Sequence, residues 1–261
     1  MIEVSRIYSV VGLLPRSQII SERPFRSPHH TTSRYALIGG GSLPSPGEVT
    51  LAHRGVLFMD EFPEFPRSTL EALRQPMEDG YVSVSRVTRS VTFPSRFLLL
   101  AASNACPCGY LGHPKKSCSC LPGSVASYKK RLSGPLLDRI DMHVHVSPVE
   151  DRFLLQSKNN SLTTKEIRLQ VEQAVKIQKA RFLANSRIKT NGQMSGADIK
   201  RYCVLSNRAV DLLCQAVSKL YLSARSYYKL IKVSRTIADF EGKSKIETSH
   251  LAEALQYRMM D

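Results

Sequence analysis

No run of 18 or more apolar residues occurs in this chain, which excludes a helix long enough to cross a bilayer. The opening Met1-Ile2-Glu3-Val4-Ser5-Arg6 has neither a basic leader nor an apolar signal core, so a soluble, cytoplasmic protein without a membrane partner is expected. Repeats and low-complexity tracts are also missing. Acidic residues are scarce: 22 Asp and Glu stand against 37 Lys and Arg, a formal charge of +15 that draws polyanions such as nucleic acid or nucleotide phosphates. Cysteine is limited to six residues, and in a reducing compartment closely spaced thiols indicate metal before disulfide. With 42% hydrophobic residues in 261, the chain can bury a core, as one large domain or two modest ones.

Two apolar runs, Gly55–Met59 and Phe97–Ala102, read as buried strands of a parallel sheet, with a helix over Ser68–Met77 between them. Strand, helix, strand implies an α/β core. Alternation at Val82, Val84, Val91 and Phe93, broken by Arg86 to Arg89, predicts a β-hairpin with a basic tip. A further strand is expected over Ile140–Val146. Beyond about residue 150 a polar stretch gives way to helical spacing, with Thr164, Ser195, Ser206, Ser223 and Ser249 as expected helix caps and about five helices. The division expected is 1–150 as the α/β part and 151–261 as a helical domain.

The chemistry concentrates where Gly55-Val56-Leu57-Phe58-Met59 ends in Asp60-Glu61. A buried strand can deliver Asp60 rigidly to a magnesium ion on nucleotide phosphates, while Glu61 orients an attacking water; acidic pairs also end many strands that do no chemistry. The second strand runs into Ser103-Asn104, whose amide can position the same water. Arg139, within Gly134-Pro135-Leu136-Leu137-Asp138-Arg139-Ile140-Asp141, is placed to meet a neighbouring subunit's phosphate, or simply to pair with Asp138 or Asp141. Arg225 falls in the first turn of a helix, where the helix dipole disfavours it and another reason is needed. Cys106-Pro107-Cys108 and Cys118-Ser119-Cys120 place four thiols on one short loop, a set compatible with structural Zn2+ or with free thiols, with His113 as spare ligand. Cys203 and Cys214 read as core residues. His29 and His30 either touch substrate or nucleotide or form a polar turn after Pro28.

Together with Arg23–Thr31, Pro46-Gly47-Glu48-Val49, Arg74–Gly80 and Arg235–Asp239, these motifs resemble, in order and wording, the magnesium-chelatase-like AAA+ ATPases, specifically the ComM (YifB) branch. The resemblance covers nearly the whole chain. It implies an AAA+ P-loop-type three-layer core, here incomplete, followed by an all-α lid domain, working as a hexameric ATP-driven DNA motor in branch migration. By position Asp60 and Glu61 correspond to Walker B, Asn104 to sensor 1, Arg139 to the arginine finger and Arg225 to sensor 2, with ATP and Mg2+ as cofactors. Arg86 and Arg89 at the hairpin tip are either solvated turn residues or, as the resemblance implies, contacts to DNA phosphates inside a ring pore, made without sequence preference.

One departure is large: the sequence holds no G-x-x-x-x-G-K-[ST] loop, and Gly39-Gly40-Gly41-Ser42 lacks the lysine and reads as a flexible connection. A truncated or split gene product is therefore expected, with impaired ATP hydrolysis unless an upstream fragment supplies the loop. The alternatives are a non-enzymatic, basic, zinc-containing module that binds nucleic acid or a partner subunit, and a subunit of a porphyrin chelatase.

Overall fold

The computed structural model describes residues 1–14, 19–41, 44–85, 90–147, 162–185 and 188–258. Its contacts divide the chain into two units, Met1–Ile140 and Asp141–Asp261. In the first, α1 (Ile2–Val10) precedes β1 (Phe25–Arg26), α2 (Arg34–Ile38), β2 (Gly39–Gly40), β3 (Ser45–Pro46) and α3 (Glu48–Leu51). Then come β4 (Val56–Met59), α4 (Arg67–Ala72), α5 (Arg74–Asp79), β5 (Tyr81–Ser85), β6 (Ser90–Pro94), β7 (Leu98–Ala101), α6 (Pro122–Lys130) and α7 (Gly134–Leu137). The second unit is helical: α8 (Thr164–Arg181), α9 (Gly196–Tyr202), α10 (Asn207–Lys219), α11 (Ala224–Phe240) and α12 (Thr248–Gln256).

The central sheet has the order β1-β4-β7, all parallel, with Phe25 and Leu98 both opposite Val56. Because side chains alternate across a sheet, Leu57, Met59, Leu99 and Ala101 share one face. That face is packed: Leu57 and Met59 are fully buried among Leu37, Val49, Leu70, Leu73, Val82 and Leu136. The other face is bare, with Phe25 at 62%, Leu98 at 64% and Leu100 at 53% exposed. The apolar runs therefore form strands as expected, but β7 is buried on one side only.

The helix expected over Ser68–Met77 is two helices that meet at Leu73. Pro76 is the cause: it has no N–H for the Ala72 carbonyl, and its ring crowds that carbonyl. The hairpin β5–β6 forms as the alternation requires, pairing Val84 with Val91 and sending Val82 and Val84 into the core. Its tip, with Arg86 and Arg89, lies outside the described residues.

Three expectations are corrected. Gly39–Gly41 does not read as a loose connection, because Gly39 and Gly40 pair antiparallel with Pro46 and Ser45. Gly39 is buried at φ 99°, ψ 168°, and a Cβ there would collide with the Ser45 carbonyl and the Gly47 nitrogen, so glycine is needed for close packing. No strand forms over 140–146; Met142, Val144 and Val146 are 44%, 65% and 80% exposed, and among the described residues no strand pairs with this alternating stretch. Two caps shift, from Thr164 to Thr163 and from Ser249 to Glu247, whereas Ser195, Ser206 and Ser223 hold the N-cap positions.

The second unit is organised around buried charge. Asp239, 1% exposed, accepts from Arg235 Nε at 3.1 Å, from Asn191 Nδ2 at 2.8 Å and from both terminal nitrogens of Arg181. Arg235, fully buried, donates onward to the carbonyls of Ser244 and Lys243 beyond the end of α11. Each buried charge is thereby paired and hydrogen-bonded, the condition under which burial is tolerated.

Candidate functional site

The acid pair sits at the carboxyl end of β4, the edge of a parallel sheet where ligands of α/β folds bind. Asp60 and Glu61 are both exposed there. Glu61 stands in the left-handed region, at φ 49°, ψ 44°, and its N–H donates to Asp60 Oδ1 at 2.8 Å. The turn is then locked to the neighbouring strand: Ala102 N–H donates to the Met59 carbonyl at 3.0 Å and Phe62 N–H to the Ala102 carbonyl at 2.9 Å. These two bonds bring the Asp60-Glu61 turn and the Ser103-Asn104 segment to the same end of adjacent strands. The Asn104 backbone N–H also bonds to the Tyr128 hydroxyl of α6.

One partner escaped sequence reading. His30 Nδ1 lies 2.9 Å from Glu61 Oε2, and the His30 ring packs against His29 with centroids 4.1 Å apart and planes tilted by 35°, while His29 Nδ1 is 2.9 Å from the Thr31 hydroxyl. The polar turn after Pro28 thus holds the carboxylate that the motif singles out. Thirty-one positions separate His30 from Glu61, and nothing local in either segment announces the pairing.

Arg139 follows the short helix α7 rather than preceding a strand. Its guanidinium donates to Glu78 Oε2 at 3.1 and 2.5 Å and to the Pro135 carbonyl at 2.7 Å, with the side chain 16% exposed. Glu78 of the Arg74–Gly80 motif is thus a partner of Arg139. Arg225 does lie in the first turn of α11, behind the Ser223 cap. On the same helix, Lys229 pairs with Asp141 at 2.8 Å, and burial pulls its ammonium below the ordinary lysine range.

The acid pair fits a divalent cation: Asp60 spends Oδ1 on its own turn and leaves Oδ2 for the ion, and Glu61 is aimed by His30. A phosphate cradle is another matter. One Gly-Lys-Ser does occur, at Gly242–Ser244, but Ile237 stands where the motif requires glycine, and the tripeptide follows a helix rather than a strand. Gly242 at φ 68° closes α11, Lys243 N–H donates to the Ala238 carbonyl at 2.8 Å, and the next two carbonyls accept from Arg235. Those groups serve a helix end and leave no nest for phosphate.

Between β7 and α6 the thiols of Cys106, Cys108, Cys118 and Cys120 converge, all within 4.8 Å of one another. Backbone N–H groups of Tyr110 and Ser119 bond to Cys108 and pull its thiol down to about 5. Cys118 is pushed up to about 12, although the Cys120 N–H bonds to it, by burial and by the crowding of Cys108 and Cys106. Cys203 is buried in the second unit's core, as expected, but Cys214 is exposed. A cleft of about 460 Å3 beside this loop, lined by Glu64, Pro107, Ser124, Ser127, Tyr128 and Arg131, does not include the acid pair, and it has no assigned chemistry.

Known families now bear on this geometry. The family model described as magnesium chelatase, subunit ChlI, matches residues 1–154, and its C-terminal counterpart matches residues 161–258. The chain belongs to the magnesium-chelatase-like family, in its ComM/YifB branch. Within the branch, it is 44% identical over 241 residues to the competence protein ComM of Haemophilus influenzae, covering 92% of this chain and 46% of that protein. Against YifB of Salmonella typhimurium it is 40% identical over 261 residues, all of this chain and 50% of the relative. The magnesium-chelatase subunit ChlI of Bigelowiella natans is more distant, at 24% over 188 residues, 56% of this chain and 46% of that subunit. The chain thus spans about half the length of the ComM and YifB relatives it matches. Among the described residues no helix of this family member is long and apolar enough to cross a membrane.

Proposed function

We propose that this chain carries the acid pair and sensing residues of a ComM-like AAA+ ATPase that works as a hexameric motor on DNA, and that it draws its phosphate-binding loop from a segment outside these 261 residues. The observation that carries the reading is the end of β4, where Asp60, Glu61 and the Ser103-Asn104 segment gather and His30 holds Glu61. In this reading ATP and Mg2+ are the cofactors: Asp60 holds the ion, Glu61 polarises the water, Asn104 orients it, and His30 positions Glu61. Arg139 is the finger presented to a neighbouring subunit, so Glu78 must release it on assembly, and Arg225 senses the bound nucleotide. The first unit is the incomplete AAA+ core and the second its lid. The bare sheet face supports a missing layer, since apolar faces of α/β sheets are ordinarily covered on both sides. The cysteine cluster is compatible with Zn2+. DNA is engaged through phosphates, the kind of partner that a +15 chain attracts in the cytoplasm.

Steady-state phosphate release tests this reading. The 261-residue chain alone is expected to show no turnover, because positioning the γ-phosphoryl group supplies most of the rate and the cradle is absent from it. Joined to the preceding half of a YifB relative, it should turn over ATP, and Glu61→Gln in that fusion should abolish hydrolysis while sparing nucleotide binding. Turnover by the 261-residue chain itself, lost on Glu61→Gln, would overturn the need for an outside loop.

A further inference from the structure

Residues 102–121, joining β7 to α6, contain neither helix nor strand. Ordered loops of that length need something to hold them. Apolar burial does not supply it here: Tyr110 and Leu111 are each 38% exposed, Leu121 is 74% exposed, and the buried residue of the loop is Cys106, at 0%. What converges instead is sulfur. Cys106 Sγ lies 3.4 Å from Cys108 Sγ and 3.6 Å from Cys118 Sγ, and Cys108 lies 3.5 Å from Cys118. A disulfide would require about 2.05 Å. The edge of a tetrahedron of thiolates around zinc, with Zn–S near 2.3 Å, is about 3.8 Å.

The surroundings suit thiolates. Leu111 N–H donates to Cys106 Sγ at 3.3 Å and Cys120 N–H to Cys118 Sγ at 3.4 Å, so the backbone of the loop is already turned inward toward the sulfurs. His113, the spare ligand by sequence, is engaged elsewhere: its Nδ1 accepts from the Lys115 and Lys116 N–H groups at 3.0 and 3.1 Å, and its ring packs edge-on against Tyr110. Among the described residues no second group of three or more such ligands comes together.

We propose that Cys106, Cys108, Cys118 and Cys120 hold one Zn2+ in a closed four-thiolate site, without His113, and that this ion fixes the loop between Asn104 and Tyr128. With all four positions filled by protein, the ion is structural and offers no open position to substrate. Its role is to anchor the two ends of the loop where they meet, at the bond from the Asn104 backbone N–H to the Tyr128 hydroxyl. The metal assignment stands apart from the ATPase reading; only the value of holding Asn104 rests on it.

The experiment is elemental analysis of the chain purified without chelator, followed by cobalt substitution and limited trypsin digestion. One zinc per chain is expected, retained by His113→Ala and Cys214→Ser and lost from Cys108→Ser and Cys118→Ser. Cobalt should give the intense visible bands and sulfur-to-metal charge transfer of a tetrahedral four-thiolate ion, unchanged in His113→Ala. Stripping zinc should expose Lys115 and Lys116 to cleavage, and adding zinc back should close them. Metal-free protein with free or disulfide-bonded thiols would overturn the proposal; so would a cobalt spectrum that changes in His113→Ala. If the cysteine variants do not fold, the wild-type and His113→Ala spectra decide the ligand set alone. No readout involves nucleotide, so failure here leaves the ATPase reading standing.

Discussion

His53 shows how a single side chain ties acidity to folding. The ring is 2% exposed; its Nδ1 accepts from the Arg96 N–H at 3.1 Å, and its Nε2 lies 3.2 Å from Glu3 Oε2. The neutral ring therefore carries its proton on Nε2, and protonating Nδ1 breaks the bond to Arg96. Burial, the largest influence, pulls the His53 pKa below 6.5, with Glu3 opposing. The unfolded chain then takes up the proton first, so the contribution is whole above about pH 6.5 and is lost as pH falls through the lower folded value. Chemical denaturation at pH 7.5 and 5.5 should show wild type losing more stability than His53→Gln over that interval; equal losses would remove His53 as the cause. At this scale sequence reading was uneven. Asp60 and Glu61 stood out because a strand and its terminal acids are contiguous, whereas the partners of Glu61 and Arg139, His30 and Glu78, are brought in by the fold from 31 and 61 positions away.

Among the elements, α8 offers the cleanest measurement. Thr163 Oγ1 accepts from the Glu166 N–H at 3.3 Å, and the Glu166 carboxylate accepts from the Thr163 N–H at 2.7 Å, a reciprocal cap that holds the Glu166 carboxyl below the usual range. Thr163→Ala should cost about 1 kcal/mol and Thr164→Ala close to nothing, read by denaturant midpoints of the chain; equal effects would refute the cap. The distinction was legible in the sequence, since three residues beyond Thr163 is Glu166 but three beyond Thr164 is Ile167. Other boundaries were not. The alternation over 140–146 is as regular as that of β5, but β5 finds β6 to pair with and 140–146 finds no strand among the described residues. The glycines at 39 and 40 invite a loose reading because flexibility and close approach use the same residue, and only the neighbouring backbone tells them apart.

At the level of the whole molecule, charge and surface decide behaviour. The +15 excess, with Arg86 and Arg89 in the β5–β6 connection, leads us to expect DNA affinity that falls steeply with salt. Replacing both arginines by alanine should reduce the slope of log affinity against log salt by about 1 per arginine, with no change in sequence preference. Identical slopes would move the contact elsewhere. The bare side of the β1-β4-β7 sheet has a more practical consequence. Phe25, Leu98 and Leu100 together offer water a flat apolar surface, the kind through which identical molecules stick to one another. Such sticking grows with concentration, and because hydrophobic attraction weakens on cooling, it should be milder in the cold. Dilute, chilled preparations, or co-expression with a polypeptide that covers that side, are then the conditions under which each of these measurements reports on one chain rather than on clumps of many.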